Sequence, residues 1–237
     1  MDTWFFVTAD YTFGHSLEAD ATGIINASGG RVLGAVRHPL GTTDMSSYLL
    51  QAKASGAKGL AFANAGADFV NSLKQAHEFG LGTKRLAALL AHVTDIEAIG
   101  PELAQGLFCT STFYWDLNDR TRAWSGRFAA RAGGRMPTMN HAGVYSSTLA
   151  YLRAAAAADT VSGAAVVARM GAAPIDDPLF GATTIRPDGR AVHDMYLFEV
   201  KAPAESRGRW DYYKLAATIP AGQAFRPMAG GGCPLVQ

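Results

Sequence analysis

The sequence predicts an α/β fold built around a parallel β-sheet with helices on both faces. In the first half of the 237-residue chain, short strands that read as continuous apolar runs alternate with single helices. Such runs are typical of strands buried on both faces, and single-helix crossovers join parallel neighbours. In the second half, three helical segments follow one another without a strand between them. This change of pattern predicts a separate group of helices.

Each predicted element of the first half ends in residues that break regular structure. The predicted strands span residues 4–9, 31–36, 58–63, 85–91 and 107–115. The predicted helices span residues 15–27, 44–54, 67–79 and 95–105. Asp44 fits an N-cap, and Gly56 and Gly80 fit helix stops.

The second half predicts helices without a sheet to cover. They span residues 119–132, 141–158 and 161–170. A turn at residues 187–189 and a hairpin of strands 194–201 and 211–219 follow. Because the helices at 141–158 and 161–170 carry apolar faces, they predict a second sheet outside this chain. A buried strand so close to Met1 favours the same interpretation, a fragment of a larger two-lobed protein.

Composition excludes several classes of function. Lys plus Arg number 21 and Asp plus Glu number 20, a net charge of +1. No stretch combines dense basic residues with aromatics, so no nucleic-acid partner is predicted. No apolar run reaches the roughly 18 residues of a membrane span. The start, MDTWFF, lacks the features of a secretory signal, which predicts a cytoplasmic chain if Met1 is the natural start.

The sequence contains no recognisable motif for catalysis or for cofactor binding. The turn ADYTFGHS has one glycine and lacks the second glycine of a dinucleotide loop and the Lys-Ser/Thr pair of a P-loop. No Gly-x-Ser-x-Gly elbow occurs, and the six histidines have no metal-ligand spacing. We therefore predict no catalytic residues, no metal and no cofactor. Cys109 fits a small buried side chain, whereas the role of Cys233 stays open.

Polar and aromatic residues follow the predicted parallel strands, at the edge where open α/β sheets bind ligands. They are Asp10, Tyr11 and Phe13; Asn64, Ala65 and Gly66; His92, Thr94 and Asp95; and Phe113, Tyr114 and Trp115. Ordinary loop and capping roles, with Asp95 as an N-cap, explain the same residues equally well.

Several stretches identify a resemblance to a known family. The start WFFVTADYTFGHS has a strand ending in a D-Y-x-x-G-like turn, and TTDMSS, AKASGAK and KQAHEFGL follow in family order. FYWDLNDRTRAWSGRF and VHDMYLFEVKAPAESRGRWDYYKLAATIP match one branch. Over essentially its whole length, the chain resembles periplasmic type I solute-binding proteins, more narrowly the leucine/isoleucine/valine-type receptors of ABC transporters.

The resemblance implies a division into lobes. In the family, an N-terminal lobe of about a hundred residues and a signal peptide precede the strand WFFVTAD. Residues 1–113 would be the first part of the C-terminal lobe, a parallel Rossmann-like unit. Residues 114–194 would be the returning helices of an incomplete N-terminal lobe, and residues 195–237 would complete the C-terminal lobe. The fold implied is a type I periplasmic-binding-protein fold lacking most of one lobe.

The resemblance also implies a function. Family members close two lobes on a small molecule and then dock on membrane permease subunits, so a periplasmic location is expected. Phe13 and Ala65 match ligand-contacting positions of the family, with Asn64 and Gly66 beside Ala65. His92, Asn140 and His141 fall near further ligand contacts of the family. Residues 90–92 lack the acidic residue that holds an amino acid's ammonium group. Because an unpaired buried ammonium is costly, we expect an aromatic or branched carboxylic acid, or an amide, with His92 as donor.

Other interpretations remain open. The N-lobe residues that grip a carboxylate are missing, so this chain is expected to bind its ligand poorly. A ligand-sensing regulatory module of the same fold, a non-functional truncated remnant, and an α/β enzyme are the alternatives.

Overall fold

The computed structural model describes residues 2–234 and residue 236. The strands are β1 Thr3–Ala9, β2 Arg31–His38, β3 Gly59–Ala63, β4 Arg85–Ala88, β5 Phe108–Ser111, β6 Ile175–Asp177, β7 Gly181–Ile185, β8 Ala191–Val192, β9 Met195–Val200 and β10 Tyr213–Ile219. The α-helices are α1 Thr12–Ala27, α2 Ser46–Ala54, α3 Gly66–Glu78, α4 Val93–Ile99, α5 Pro101–Ala104, α6 Asp119–Arg131, α7 Met139–Ala158, α8 Gly163–Gly171 and α9 Ala221–Ala224.

The chain divides into two compact units. The first unit contains the described residues up to Thr110 together with Phe198–Lys214. The second unit contains Ser111–Leu197 and the described residues from Leu215 onward.

The main sheet has seven strands in the order β10-β9-β5-β4-β3-β1-β2. The pairs β1–β2, β1–β3, β3–β4 and β4–β5 are parallel, which confirms the predicted parallel sheet. All five residues of β3 are buried, as expected for a central strand covered on both faces. The largest fully buried side chains nearby include Phe6, Phe62 and Phe69.

Helix α1 packs unusually close to the sheet at Gly14. A Cβ atom at this position would lie 2.2 Å from the carbonyl oxygen of Ala9 and 3.0 Å from that of Ala63. Only glycine allows a backbone approach of this kind. The start of α1 is therefore held against the ends of β1 and β3.

Several predicted elements differ from the observed ones in length or number. The single helix predicted over residues 95–105 is two helices, because Gly100 has a φ of +94° and the following Pro101 lacks a backbone N–H. The predicted strands 85–91 and 107–115 are shorter, and their last residues belong to loops.

The second unit contains a small sheet that the sequence analysis did not predict. Its strands β6, β7 and β8 have three, five and two residues and pair in antiparallel order. Runs this short carry too few residues for a periodic pattern to emerge. The turn predicted at residues 187–189 joins β7 to β8, where Gly189 N donates to Arg186 O at 2.8 Å.

The helices of the second unit share an aromatic core. Phe113, Trp124, Ala142 and Leu179 are buried together, with Phe128 packed against them. The rings of Phe113 and Trp124 meet edge to face, with centroids 5.5 Å apart. No helix among the described residues has both the length and the apolar character needed to cross a membrane.

Candidate functional site

The candidate site of the first unit lies at the carboxyl ends of three neighbouring parallel strands. β1 pairs with β3 and β3 pairs with β4, so the residues that follow them reach one edge of the sheet. Of the predicted site residues, the fold brings Phe13, Asn64, Ala65, Gly66 and His92 to this edge. Asn140 and His141 belong to α7 in the second unit.

An aromatic pair marks the end of β1. Phe13 lies in the first turn of α1 and is half-buried. Its ring lies 5.8 Å from that of Tyr11, which is 37% exposed. Because Gly14 holds this turn close to the sheet, the pair has a defined position and offers an apolar surface to a small molecule.

Asn64 lies beneath the edge, inside a buried hydrogen-bond network. Its Nδ2 group donates to Ser72 Oγ at 2.9 Å and contacts His38 Nε2 at 3.0 Å. His38 Nδ1 lies 2.9 Å from the carbonyl of Pro39, which favours the tautomer with the proton on Nδ1 and an accepting Nε2. Both amide hydrogens of Asn64 are thus used within the protein, while its buried Oδ1 has no protein partner.

Helix α3 begins at this edge and holds the loop that follows β2. Ala65 precedes the helix and is half-buried, and Gly66 is exposed with a φ of +59°. Three side chains on one stripe of α3 contact the loop: Asp68 Oδ2 accepts from Gly41 N at 3.2 Å, Asn71 donates to Thr42 O at 3.3 Å, and Gln75 donates to Thr43 O at 2.8 Å. These bonds fix the loop beside the candidate site.

His92 flanks the first turn of α4. Its backbone N–H donates to Asp95 Oδ2 at 2.8 Å. Burial raises the pKa of the Asp95 carboxyl, and the hydrogen bond from His92 opposes this effect. The N-cap of α4 is therefore His92 and not Asp95, whose carboxylate accepts the His92 N–H from the third position of the helix.

Charged side chains near the edge are paired with one another. Asp10 and His15 approach to 2.8 Å. Glu18 accepts from Thr8 Oγ1 at 2.7 Å and from Arg37 at 3.2 Å. These pairs fasten α1 to the ends of β1 and β2.

In the second unit, His141 caps the start of α7. Its Nδ1 accepts from the backbone N–H of Thr138 at 3.1 Å, and its ring lies 4.9 Å from that of Phe128. His141 and the neighbouring Asn140 are both exposed. Phe113, which the sequence placed among the edge residues, belongs to the aromatic core of this unit.

Sequence reasoning missed His38 and Ser72. Both are fully buried and hold Asn64, although His38 was treated as one of several scattered histidines. Its position two residues after Val36, on the same side of a strand-like segment, is the one feature that could have singled it out. Cys109 is buried, as predicted, and burial raises the pKa of its thiol to about 12.

The described side chains do not suggest a metal site. Among these residues, His, Cys, Asp and Glu form no group of three or more that could hold an ion. The edge of the first unit instead combines an aromatic pair, helix starts and a fixed loop. Such an arrangement can bind a small organic molecule.

Comparison with known proteins places the chain in a family. The sequence model described as periplasmic binding protein matches residues 1–208. A periplasmic binding protein from Burkholderia mallei is 46% identical, with a TM-score of 0.95. The match covers 100% of this chain and 63% of the length of that protein. A branched-chain amino acid ABC transporter periplasmic ligand-binding protein from Burkholderia xenovorans LB400 is 41% identical, with a TM-score of 0.88. The match covers 99% of this chain and 63% of the length of that protein.

The fold recurs at lower identity. An amino acid ABC transporter substrate-binding protein from Pseudomonas fluorescens Pf-5 is 24% identical, with a TM-score of 0.88 over 99% of this chain and 62% of its own. A comparison with curated proteins gave no match. The chain spans less than two thirds of the length of these solved structures.

The mostly parallel sheet and its flanking helices define an α/β fold of the type I periplasmic-binding-protein class. The chain belongs to the periplasmic binding protein family. The predicted family and fold class are therefore confirmed. Members of this family are solute-binding proteins of ABC transporters rather than enzymes.

Proposed function

We propose that this chain belongs to the substrate-binding component of an ABC importer of the branched-chain amino acid or amide type. Family membership over most of the chain is the observation that carries the proposal. The 41% identical relative from Burkholderia xenovorans, described as a branched-chain amino acid ABC transporter protein, supports the narrower class. A periplasmic location and docking on permease subunits in the membrane are part of the proposal.

The proposed ligand is a small aromatic or branched carboxylate, or an amide, without an essential ammonium group. Phe13 and Tyr11 supply an aromatic surface at the edge of the sheet. Residues 90–92 contain no carboxylate, and the carboxylate of Asp95 is engaged by the N–H of His92. An ammonium group would therefore lack a counter-charge among these residues, and burying it unpaired is costly.

Site residues divide into two proposed roles. Phe13, Ala65, Gly66 and His92 would contact the ligand at the edge of the first unit. Asn140 and His141, at the start of α7, are proposed as ligand contacts by the family resemblance alone. The buried network around Asn64 supports a positioning role for this residue, since its amide hydrogens are used by His38 and Ser72.

We also propose the lobe assignment that the resemblance implies. Residues 1–113 and 195–237 would form most of one lobe, and residues 114–194 would belong to the other, whereas the described residues from Leu215 onward group with the second compact unit. In the second unit, Val144, Leu152 and Val167 are 67%, 58% and 65% exposed. Exposed apolar side chains grouped on neighbouring helices are normally covered by other protein surface. We propose that further segments of the family fold pack on these helices in the working protein.

Isothermal titration calorimetry tests the ligand. The panel contains benzoate, 3-methylbutanoate, their amides and L-leucine, each titrated into this chain and into the Burkholderia mallei relative. We expect the relative to bind a carboxylate or an amide more tightly than leucine, and this chain to bind the same molecule weakly. Tight binding of leucine with no response to the acids and amides would overturn the ligand class but leave the family unchanged.

A further inference from the structure

The second unit contains a cavity surrounded by arginines. Its volume is about 380 Å³, and α6, α7 and the region around β6 form its walls. Its lining residues include Arg120, Arg127, Arg153, Asp176, Trp124 and Tyr145. Three guanidinium groups therefore face a space with one carboxylate.

The charges in this cavity do not balance. Arg120 binds Asp176 through both nitrogens of its fork, Nη1 to Oδ1 at 2.9 Å and Nη2 to Oδ2 at 3.5 Å. This hydrogen bond lowers the pKa of Asp176, and the charge of Arg153 adds to the effect. Arg127 and Arg153 are exposed and have no ion-pair partner among the described residues. Two positive charges are left over.

An apolar wall lies next to these charges. Trp124 is 7% exposed and Tyr145 is 37% exposed, and their rings lie 5.3 Å apart. Pro178 and Leu179 continue the wall. Arg120 and Arg127 are seven residues apart on α6, which places them on one face about two turns, or roughly 10 Å, apart.

We propose that this cavity binds an acidic segment of a protein partner, with carboxylates on Arg127 and Arg153 and an apolar side chain against Tyr145. The Arg120–Asp176 pair shows that a carboxylate fits the guanidinium geometry of this cavity. A single exposed ion pair contributes little to binding, so useful affinity requires several charges and an apolar contact together. A peptide segment offers both, whereas a small inorganic anion offers only charge. This proposal does not depend on which solute the protein captures.

The test uses a dye-labelled peptide of alternating Glu and Leu, titrated with the full chain and followed by fluorescence anisotropy. A second peptide of alternating Gln and Leu removes the charge. We expect the Glu peptide to bind, the Gln peptide to bind at least about tenfold more weakly, and the affinity for the Glu peptide to fall at about 0.3 M salt. Equal binding of both peptides, or no binding of either, would overturn the proposal.

Variants locate the contact. Arg127→Gln combined with Arg153→Gln should weaken binding of the Glu peptide about tenfold. Arg135→Gln, an exposed arginine outside the cavity, should change it less than about twofold. Arg127→Lys combined with Arg153→Lys keeps the charge and should recover part of the loss. An equal loss in the Arg135→Gln control would show unspecific attraction and contradict the site.

Inorganic phosphate serves as competitor. If the cavity recognises a peptide segment, phosphate should displace the Glu peptide no better than sodium chloride of the same ionic strength. Displacement at much lower phosphate concentrations would instead make the cavity a small-anion site. Circular dichroism of each variant keeps a folding defect separate from a loss of binding.

Discussion

Gly14 shows how one residue positions the candidate site. A Cβ atom here would overlap the carbonyl oxygen of Ala9, which lies only 2.2 Å away. We predict that Gly14→Ala lowers the free energy of unfolding by at least about 1–3 kcal/mol, because the backbone of α1 must move away from the sheet. Urea denaturation measures the change.

Gly23 provides the matched control for this prediction. It lies in the same helix, and nothing approaches within 4 Å of its Cβ position. Gly23→Ala should raise the free energy of unfolding by about 0.5–1 kcal/mol, as expected for a helix interior. Equal effects of the two substitutions would mean that the close contact at Gly14 has no energetic consequence.

Asn64 is the second residue whose environment makes a prediction. Asn64→Ala removes the donor for His38 Nε2 and for Ser72 Oγ inside the protein. Leaving buried acceptors unpaired should lower the free energy of unfolding by about 1–3 kcal/mol. Asn71→Ala removes one half-buried bond to Thr42 and should cost about 0.5–1.5 kcal/mol. A larger loss for Asn71→Ala in guanidinium denaturation would contradict the network.

At the scale of elements, Asp211 fastens the segment between β9 and β10. Burial would raise the pKa of its carboxyl, but hydrogen bonds from Arg207 and Lys201 outweigh burial and hold this pKa well below its usual range. The lowered folded-state pKa means that these bonds stabilise the fold fully above the unfolded pKa near 4. The stabilisation is lost as the pH falls through the folded-state pKa.

We predict that Asp211→Asn lowers the free energy of unfolding by about 1.5–3 kcal/mol at neutral pH. The difference from the unmodified chain should shrink steadily once the pH falls below about 4. Denaturation curves recorded from neutral to acidic pH measure it. Asp20→Asn makes the same charge change at an exposed position and should have little effect at any pH. If the difference in free energy of unfolding between the unmodified chain and Asp211→Asn stays constant down to low pH, the role of the Asp211 charge is contradicted.

At the scale of the whole molecule, exposed apolar helix faces predict self-association. Val144 and Leu152 are eight residues apart on α7 and share one face. Val144→Ser combined with Leu152→Ser should reduce the associated fraction in sedimentation velocity by severalfold, with little change in stability since both side chains are exposed. Ile24→Ser combined with Leu40→Ser, which alters equally exposed residues of the first unit, should leave it unchanged. A purely monomeric unmodified chain would contradict this prediction.

Much of the fold could be predicted from the sequence because long elements carry repeated information. The apolar runs of β1 and β3 and the amphipathic pattern of α3 each include several residues that report the same environment. Their order along the chain implied parallel neighbours, and family motifs agreed. The edge of the sheet followed directly, since parallel strands end on the same side.

Some features could be recognised only from the tertiary structure, because they involve few residues or residues far apart in the sequence. The short strands β6, β7 and β8 have no readable period, and α4 and α5 are separated by the backbone geometry of one glycine. The burial of Asn64 with His38 and Ser72, and the grouping of Arg127 and Arg153 around Asp176, join residues far apart in sequence. The sequence by itself thus determined the fold class, the family and the sheet edge at which the candidate site lies, because local patterns encode them. The roles of individual side chains were decided by tertiary packing, because each role depends on which distant groups lie within hydrogen-bond distance.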